Sequence, residues 1–94
     1  MLRYANRKDN NDAELLRIAR QCGAFVIQMQ PGQGFDWLAI RRGQIFIIEI
    51  KDGKKTRSQQ KLTACERETK DQVEYRGVRY HIVKTTEDLM ELWK

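Results

Sequence analysis

The sequence predicts a small α/β domain, one mixed β-sheet flanked by helices in the order α-β-β-β-α-β-α. Three observations predict it. Two apolar, β-branched runs, "FDWLAI" and "IFIIEIK", are joined by "RRGQ" as in a hairpin. A helical segment then leads to a further strand-like run, "VRYHIVK", so a fourth strand reaches the sheet by a helical crossover. The chain has 94 residues, which supports one core and one domain.

The elements follow in order. Residues up to Asn10 read as an irregular basic arm. Asn11 is a helix N-cap, and Glu14 three residues on has capping-box spacing. Leu15, Ile18, Ala19 and Cys22 recur at helical spacing, and Gly23 stops the helix. "AFVIQMQ", Ala24 to Gln30, is a strand by β-propensity, broken by "PGQG" at Pro31 to Gly34. "FDWLAI" and "IFIIEIK" are the second and third strands, and "DGKKTRSQQK" is a basic loop. Thr63-Ala64-Cys65-Glu66 fits a T-x-x-E capping box, so the second helix runs from there to about Tyr75, with Gly77 beyond its end. "VRYHIVK" is the fourth strand, and "TEDLMELW" is a closing helix capped by Thr86. Trp37, Trp93, Phe25 and Phe46 read as core residues, Cys22 as packing on the first helix, and His81 as a structural histidine inside an apolar strand.

Composition sets the remaining bounds. The chain is 40% hydrophobic and 33% charged, with a formal net charge of +5. A basic balance favours a polyanionic partner. No apolar run reaches the roughly 18 residues of a membrane span. The opening residues lack the apolar core of a secretory signal. Cys22 and Cys65 stand far apart without metal-ligand spacing, as free thiols of a reducing cytoplasm do.

One feature resists a purely structural explanation. "IFIIEIKDGKK" is apolar like a central strand, yet it carries Glu49 and Lys51 at its end. Side chains alternate along a strand, so Ile45, Ile47, Glu49 and Lys51 share one face, and Phe46, Ile48 and Ile50 the other. A hairpin centred on Arg42-Gly43 sets Asp36 opposite Glu49. Two carboxylates opposed about 5 Å apart repel unless a cation lies between them. A divalent metal is one such cation, and hard oxygen ligands on strands suit Mg²⁺ or Mn²⁺ rather than zinc. Lys51 then stands beside the metal as a point charge for a phosphate or a water. The competing reading is a structural ion-pair cluster of Asp36, Glu49 and Lys51 at a sheet edge.

Asp36 followed by Glu49-Ile50-Lys51 resembles the PD-(D/E)xK nuclease signature. More narrowly, the chain resembles the virus-type replication-repair nuclease family, often called VRR-NUC. "RKDNNDAEL" is similar to that family's R-x-D-x-N-x-x-E opening, "GAFVIQMQPGQGFDWLAI" to its G-A-x-V strand, glycine turn and P-D-L strand, and "EIKDGKKTRSQQKLTACE" to its E-x-K-D-G loop leading to L-[ST]-x-x-[QE]. The resemblance runs from about Arg7 to Trp93. It departs at Phe35, where the family usually has proline, and at Glu66, where glutamine is common; Gln59 and Gln60 stand nearby.

The resemblance implies a restriction-endonuclease-like core and a Mg²⁺- or Mn²⁺-dependent endonuclease. Asp36 and Glu49 would be metal ligands with the Ile50 carbonyl as a third. Lys51 would orient or deprotonate the attacking water and stabilise charge in the transition state. Glu14 would complete the metal environment from the first helix, in addition to any cap it makes with Asn11. Glu66 reads either as a further site acid or as a helix cap. Lys54, Lys55, Arg57 and Lys61 in the loop, with Arg3, Arg7 and Lys8 in the arm, would clamp phosphates without sequence preference; as plain charge runs they are a solvated face. Standalone members of the family imply a homodimer acting on branched DNA, foremost a four-way junction, in a bacterial or phage-infected cell. A flap- or nick-directed repair nuclease is the nearest alternative. A non-catalytic nucleic-acid-binding module is a third reading, for which Asp36, Glu49 and Lys51 would be superfluous.

Overall fold

A computed structural model describes residues 11–55 and 57–94. The order α-β-β-β-α-β-α is present, with one extra helical turn in the basic loop. The elements are α1 (Asp12–Gln21), β1 (Phe25–Gln28), β2 (Trp37–Arg41), β3 (Gln44–Ile50), α2 (Arg57–Gln60), α3 (Ala64–Tyr75), β4 (Tyr80–Val83) and α4 (Thr86–Leu92). The strands lie in the order β1-β2-β3-β4, with β1, β2 and β3 antiparallel and β4 parallel to β3. The single turn α2 stands where a loop was expected. Gln60 holds it, donating from Nε2 to the Lys55 carbonyl at 2.6 Å.

The β2–β3 hairpin has the anticipated register. Arg42 (φ 52°) and Gly43 (φ 78°) both adopt positive φ, as a type I′ turn requires. Trp37 pairs with Ile48 and Ile40 with Ile45. One step further, the Asp36 N–H donates to the Ile48 carbonyl at 3.0 Å, so Asp36 and Glu49 meet at the open end of the hairpin.

One face of the sheet forms the core. Val26, Trp37, Ala39, Phe46, Ile48, Ile50 and Val83 pack with Leu15 and Ala19 of α1 and with Leu89 and Trp93 from α4 and its C-terminus. The other face carries α3, which buries none of its residues. Beyond α3 that face is open: Phe25 is 64% exposed and Ile45 66%, with Ile27 and Ile82 also exposed. Phe25 was expected in the core. It alternates with Val26 on β1, and Val26 takes the inward position.

Several element ends differ from expectation. The Asn11–Glu14 capping box does not form. Asn11 has helical backbone angles, and its amide turns away to donate to the carbonyls of Lys84 (2.8 Å) and Lys51 (3.3 Å). It thereby ties the start of α1 to the ends of β3 and β4. The α3 box of Thr63 and Glu66 does form. For α4 the cap is Thr85 rather than Thr86. Thr85 is extended and exchanges hydrogen bonds with Asp88, one residue before the expected cap. β4 begins at Tyr80 rather than Val78, because the Val78 N–H is taken by the Val73 carbonyl at the end of α3. Among the described residues no helix is long and apolar enough to cross a membrane.

Candidate functional site

Four elements converge where β3 ends. Asp36 stands just before β2, and its Oδ2 accepts the Ile50 N–H at 2.8 Å. The carboxylate thus takes the place of a main-chain acceptor past the last ladder pair. Glu49, on β3, is 3% exposed, and Lys51, one pleat further, 7%. Burying charges this deeply is costly unless they are paired. Lys51 supplies the pairing: its Nζ lies 2.9 Å from Glu66 Oε1 and 3.4 Å from Glu49 Oε2. Glu66 is thus the anticipated helix cap and also lies beside the candidate site. It caps α3, accepting the Thr63 N–H at 2.9 Å, and faces Lys51 across the gap to β3.

The electrostatics separate the two glutamates. Burial, then the charge of Asp36, then the hydrogen bond and charge of Glu66 push the Glu49 carboxyl up to about 9, against the opposing pull of Lys51. Burial also acts to raise Glu66, but hydrogen bonds from the Thr63 backbone, Glu49 and Lys51 outweigh it, and Glu66 is lowered. Burial acts to lower Lys51, but its hydrogen bond to Glu66 and the charges of Glu49 and Glu66 raise it. At neutral pH the cluster is a protonated Glu49, an ionised Glu66 and a charged Lys51. Among the described residues, Glu49 Oε1 is buried without a hydrogen-bond partner.

Tyr80 belongs to this cluster and was missed in the sequence. Its ring is buried, and its hydroxyl donates to the Gly34 carbonyl at 2.6 Å, beside the Glu49 carboxyl. A tyrosine inside an apolar strand was the available signal, since a buried phenol needs a polar partner.

The other named residues are spread more widely. Glu14 is exposed on α1 and takes no part in the hydrogen bonds of Glu49, Lys51 or Glu66. Lys54, Arg57 and Lys61 are exposed, and Lys55 is half-buried, in the segment that follows the site. Asp52 shapes that segment, its Oδ1 accepting the Lys54 N–H at 2.9 Å. Arg3, Arg7 and Lys8 lie outside the described residues. His81 is half-buried against the Phe46 ring, 5.7 Å between centroids, and burial, then Arg79, lowers its pKa.

Among the described residues no three His, Cys, Asp or Glu side chains form a ready-made metal cage. The arrangement is a half-buried Asp36 and a buried Glu49 beside a lysine held by Glu66 on a neighbouring helix. It can exchange a proton for a cation, hold an anion against Lys51, and position a water between the two. No protein-family model, curated protein or solved structure matches the chain.

Proposed function

We propose that the chain is a metal-dependent structure-specific DNA endonuclease of the virus-type replication-repair nuclease kind, a homodimer that acts on branched DNA. The observation that carries the reading is the buried Glu49 carboxyl. It lies beside Asp36 and within reach of Lys51, and its Oε1 has no partner among the described residues. A buried acceptor without a partner calls for an explanation, and a bound cation supplies one here.

The residues suit a hard cation. Asp36, Glu49 and the Ile50 carbonyl would hold Mg²⁺ or Mn²⁺ through oxygen, with water completing the shell, as these ions accept one or two carboxylates and keep several waters. When bound, such an ion supplies charge neutralisation at the scissile phosphate and a more acidic water. The chain's own groups do the rest. Glu49 gives up its proton on loading. Lys51, kept charged by Glu66, offers N–H donors to the phosphate oxygen on which charge develops. Lys54, Lys55, Arg57 and Lys61, with Arg7 and Lys8, would contact flanking phosphates, adding affinity that falls with salt. The homodimer is supported by the exposed apolar side chains of Phe25, Ile27 and Ile45 on the open part of the sheet face, since exposed apolar patches of this kind mark association surfaces.

The test is a cleavage panel of four-way junction, flap, nicked duplex, plain duplex and single strand, each with Mg²⁺ and with EDTA. Cutting of branched substrates with Mg²⁺ only is the expected result. Asp36→Asn should abolish cutting and keep DNA binding, and Lys51→Ala should slow turnover about a hundredfold or more, the scale of one lost transition-state donor. Undiminished cutting in EDTA overturns the metal assignment. Binding without any cutting moves the chain to a binding module. Preference for flaps or nicks selects a repair nuclease.

A further inference from the structure

Packing alone does not explain Tyr80. It pairs with Ile47 across the parallel β3–β4 ladder, on the face that α3 covers, where phenylalanine would fill the same space. The hydroxyl is the part that needs a reason. It reaches from β4, the last strand, to the Gly34 carbonyl, in the turn before β2, 46 residues away in sequence.

That turn is pinned from two sides. Gly34 is buried and has φ +90°, a conformation natural to glycine. A Cβ built on it would collide with the Thr69 side chain of α3. Tyr80 grips the carbonyl of the same residue. Two residues on stands Asp36, whose Oδ2 is tied to the Ile50 N–H. The phenol also lies beside the Glu49 carboxyl. One hydroxyl therefore touches the turn that delivers one acid of the site and neighbours the other.

We infer that Tyr80 is a positioning residue: its hydroxyl fixes the Gly34 turn so that Asp36 and Glu49 stay at the spacing that lets them share a divalent cation. This rests on the metal-dependent reading of the site. Asp36 reaches its place from a glycine turn, and such a turn has many conformations open to it without an external anchor. The buried Gly34 carbonyl requires a donor, and Tyr80 is the side chain that supplies it. Partners of this outer kind typically set metal affinity by tenfold to a hundredfold.

The experiment measures Mn²⁺ binding by calorimetry on the DNA-free protein, well below its melting temperature. Wild type is compared with Tyr80→Phe, Gly34→Ala, Asp36→Asn and Val26→Ala. Tyr80→Phe should bind Mn²⁺ tenfold to a hundredfold more weakly. Gly34→Ala disturbs the same turn from the Thr69 side and should weaken binding similarly, an independent arm should Tyr80→Phe fold poorly. Val26→Ala truncates the opposite face; it should lower the melting temperature and leave Mn²⁺ affinity at the wild-type value. Tyr80→Phe affinity within twofold of wild type overturns the inference, as does an equal loss in Val26→Ala, which would make the effect one of general stability. A wild type that binds no Mn²⁺, or an Asp36→Asn that binds it fully, instead overturns the metal reading on which the inference stands.

Discussion

Glu49 is an acid that the fold prefers to keep neutral. Its carboxyl is raised from an ordinary value of 4.5 to about 9, first by burial and then by Asp36 and Glu66. The folded state therefore retains a proton that the unfolded state releases at any pH between those values. Stability from this group is full below about 4.5 and is lost as pH rises towards 9. Glu49→Gln removes that loss while keeping the shape. We expect the variant to melt at least about 5 °C higher than wild type in EDTA at pH 8, and the gap to close at pH 4.5. Thermal melts across that range, in EDTA, check it. A cation able to replace the proton should raise the wild-type melting temperature at pH 8 and leave Glu49→Gln unmoved.

The two capping boxes make a controlled pair at the scale of elements. Thr63 with Glu66 starts α3, and Thr85 with Asp88 starts α4. Removing either hydroxyl costs its helix about 1 kcal/mol. Leu89 of α4 is fully buried and Trp93 at its end is in the core, whereas α3 buries nothing. Thr85→Ala should lower the global melting temperature by about 4–8 °C, as that cost predicts for a domain this size. Thr63→Ala should lower it by less than half as much; equal shifts in the two melts would contradict the account. The same helices show what could be read from the sequence. The Thr63 box and the Arg42-Gly43 turn are signals carried within four residues, and through the turn's register the sequence also placed Asp36 against Glu49. Glu66 beside Lys51 was legible only as an alternative to the cap. The Asn11 amide, the Thr85 phase and the outward Phe25 depend on which groups the rest of the chain brings near, and local pattern does not carry that. Tyr80 was hidden for the same reason, since its partner is a main-chain carbonyl 46 residues away.

For the whole molecule, the two faces of the sheet are unequal. One is closed by α1 and α4, and the other is left open beyond α3 around Phe25, Ile27 and Ile45. If that face is where two copies meet, a charge at its centre should separate them. Ile45→Lys is expected to sediment as a monomer at micromolar concentration where wild type sediments as a dimer, with its melting temperature within a few degrees of the parent's, since Ile45 is already 66% exposed in the single chain. A wild-type monomer would remove the dimer from the proposal. The unburied α3 has a further consequence, for rhythm rather than for shape. The core of β3 and β4 can stay intact while α3 lifts, because so little anchors it. Glu66 and Thr69 leave with it, and with them the partner of Lys51 and the brace on the Gly34 turn. Hydrogen exchange should show the amides of α3 opening orders of magnitude faster than those of β3, so that the site is repeatedly dismantled and rebuilt within a molecule that never unfolds.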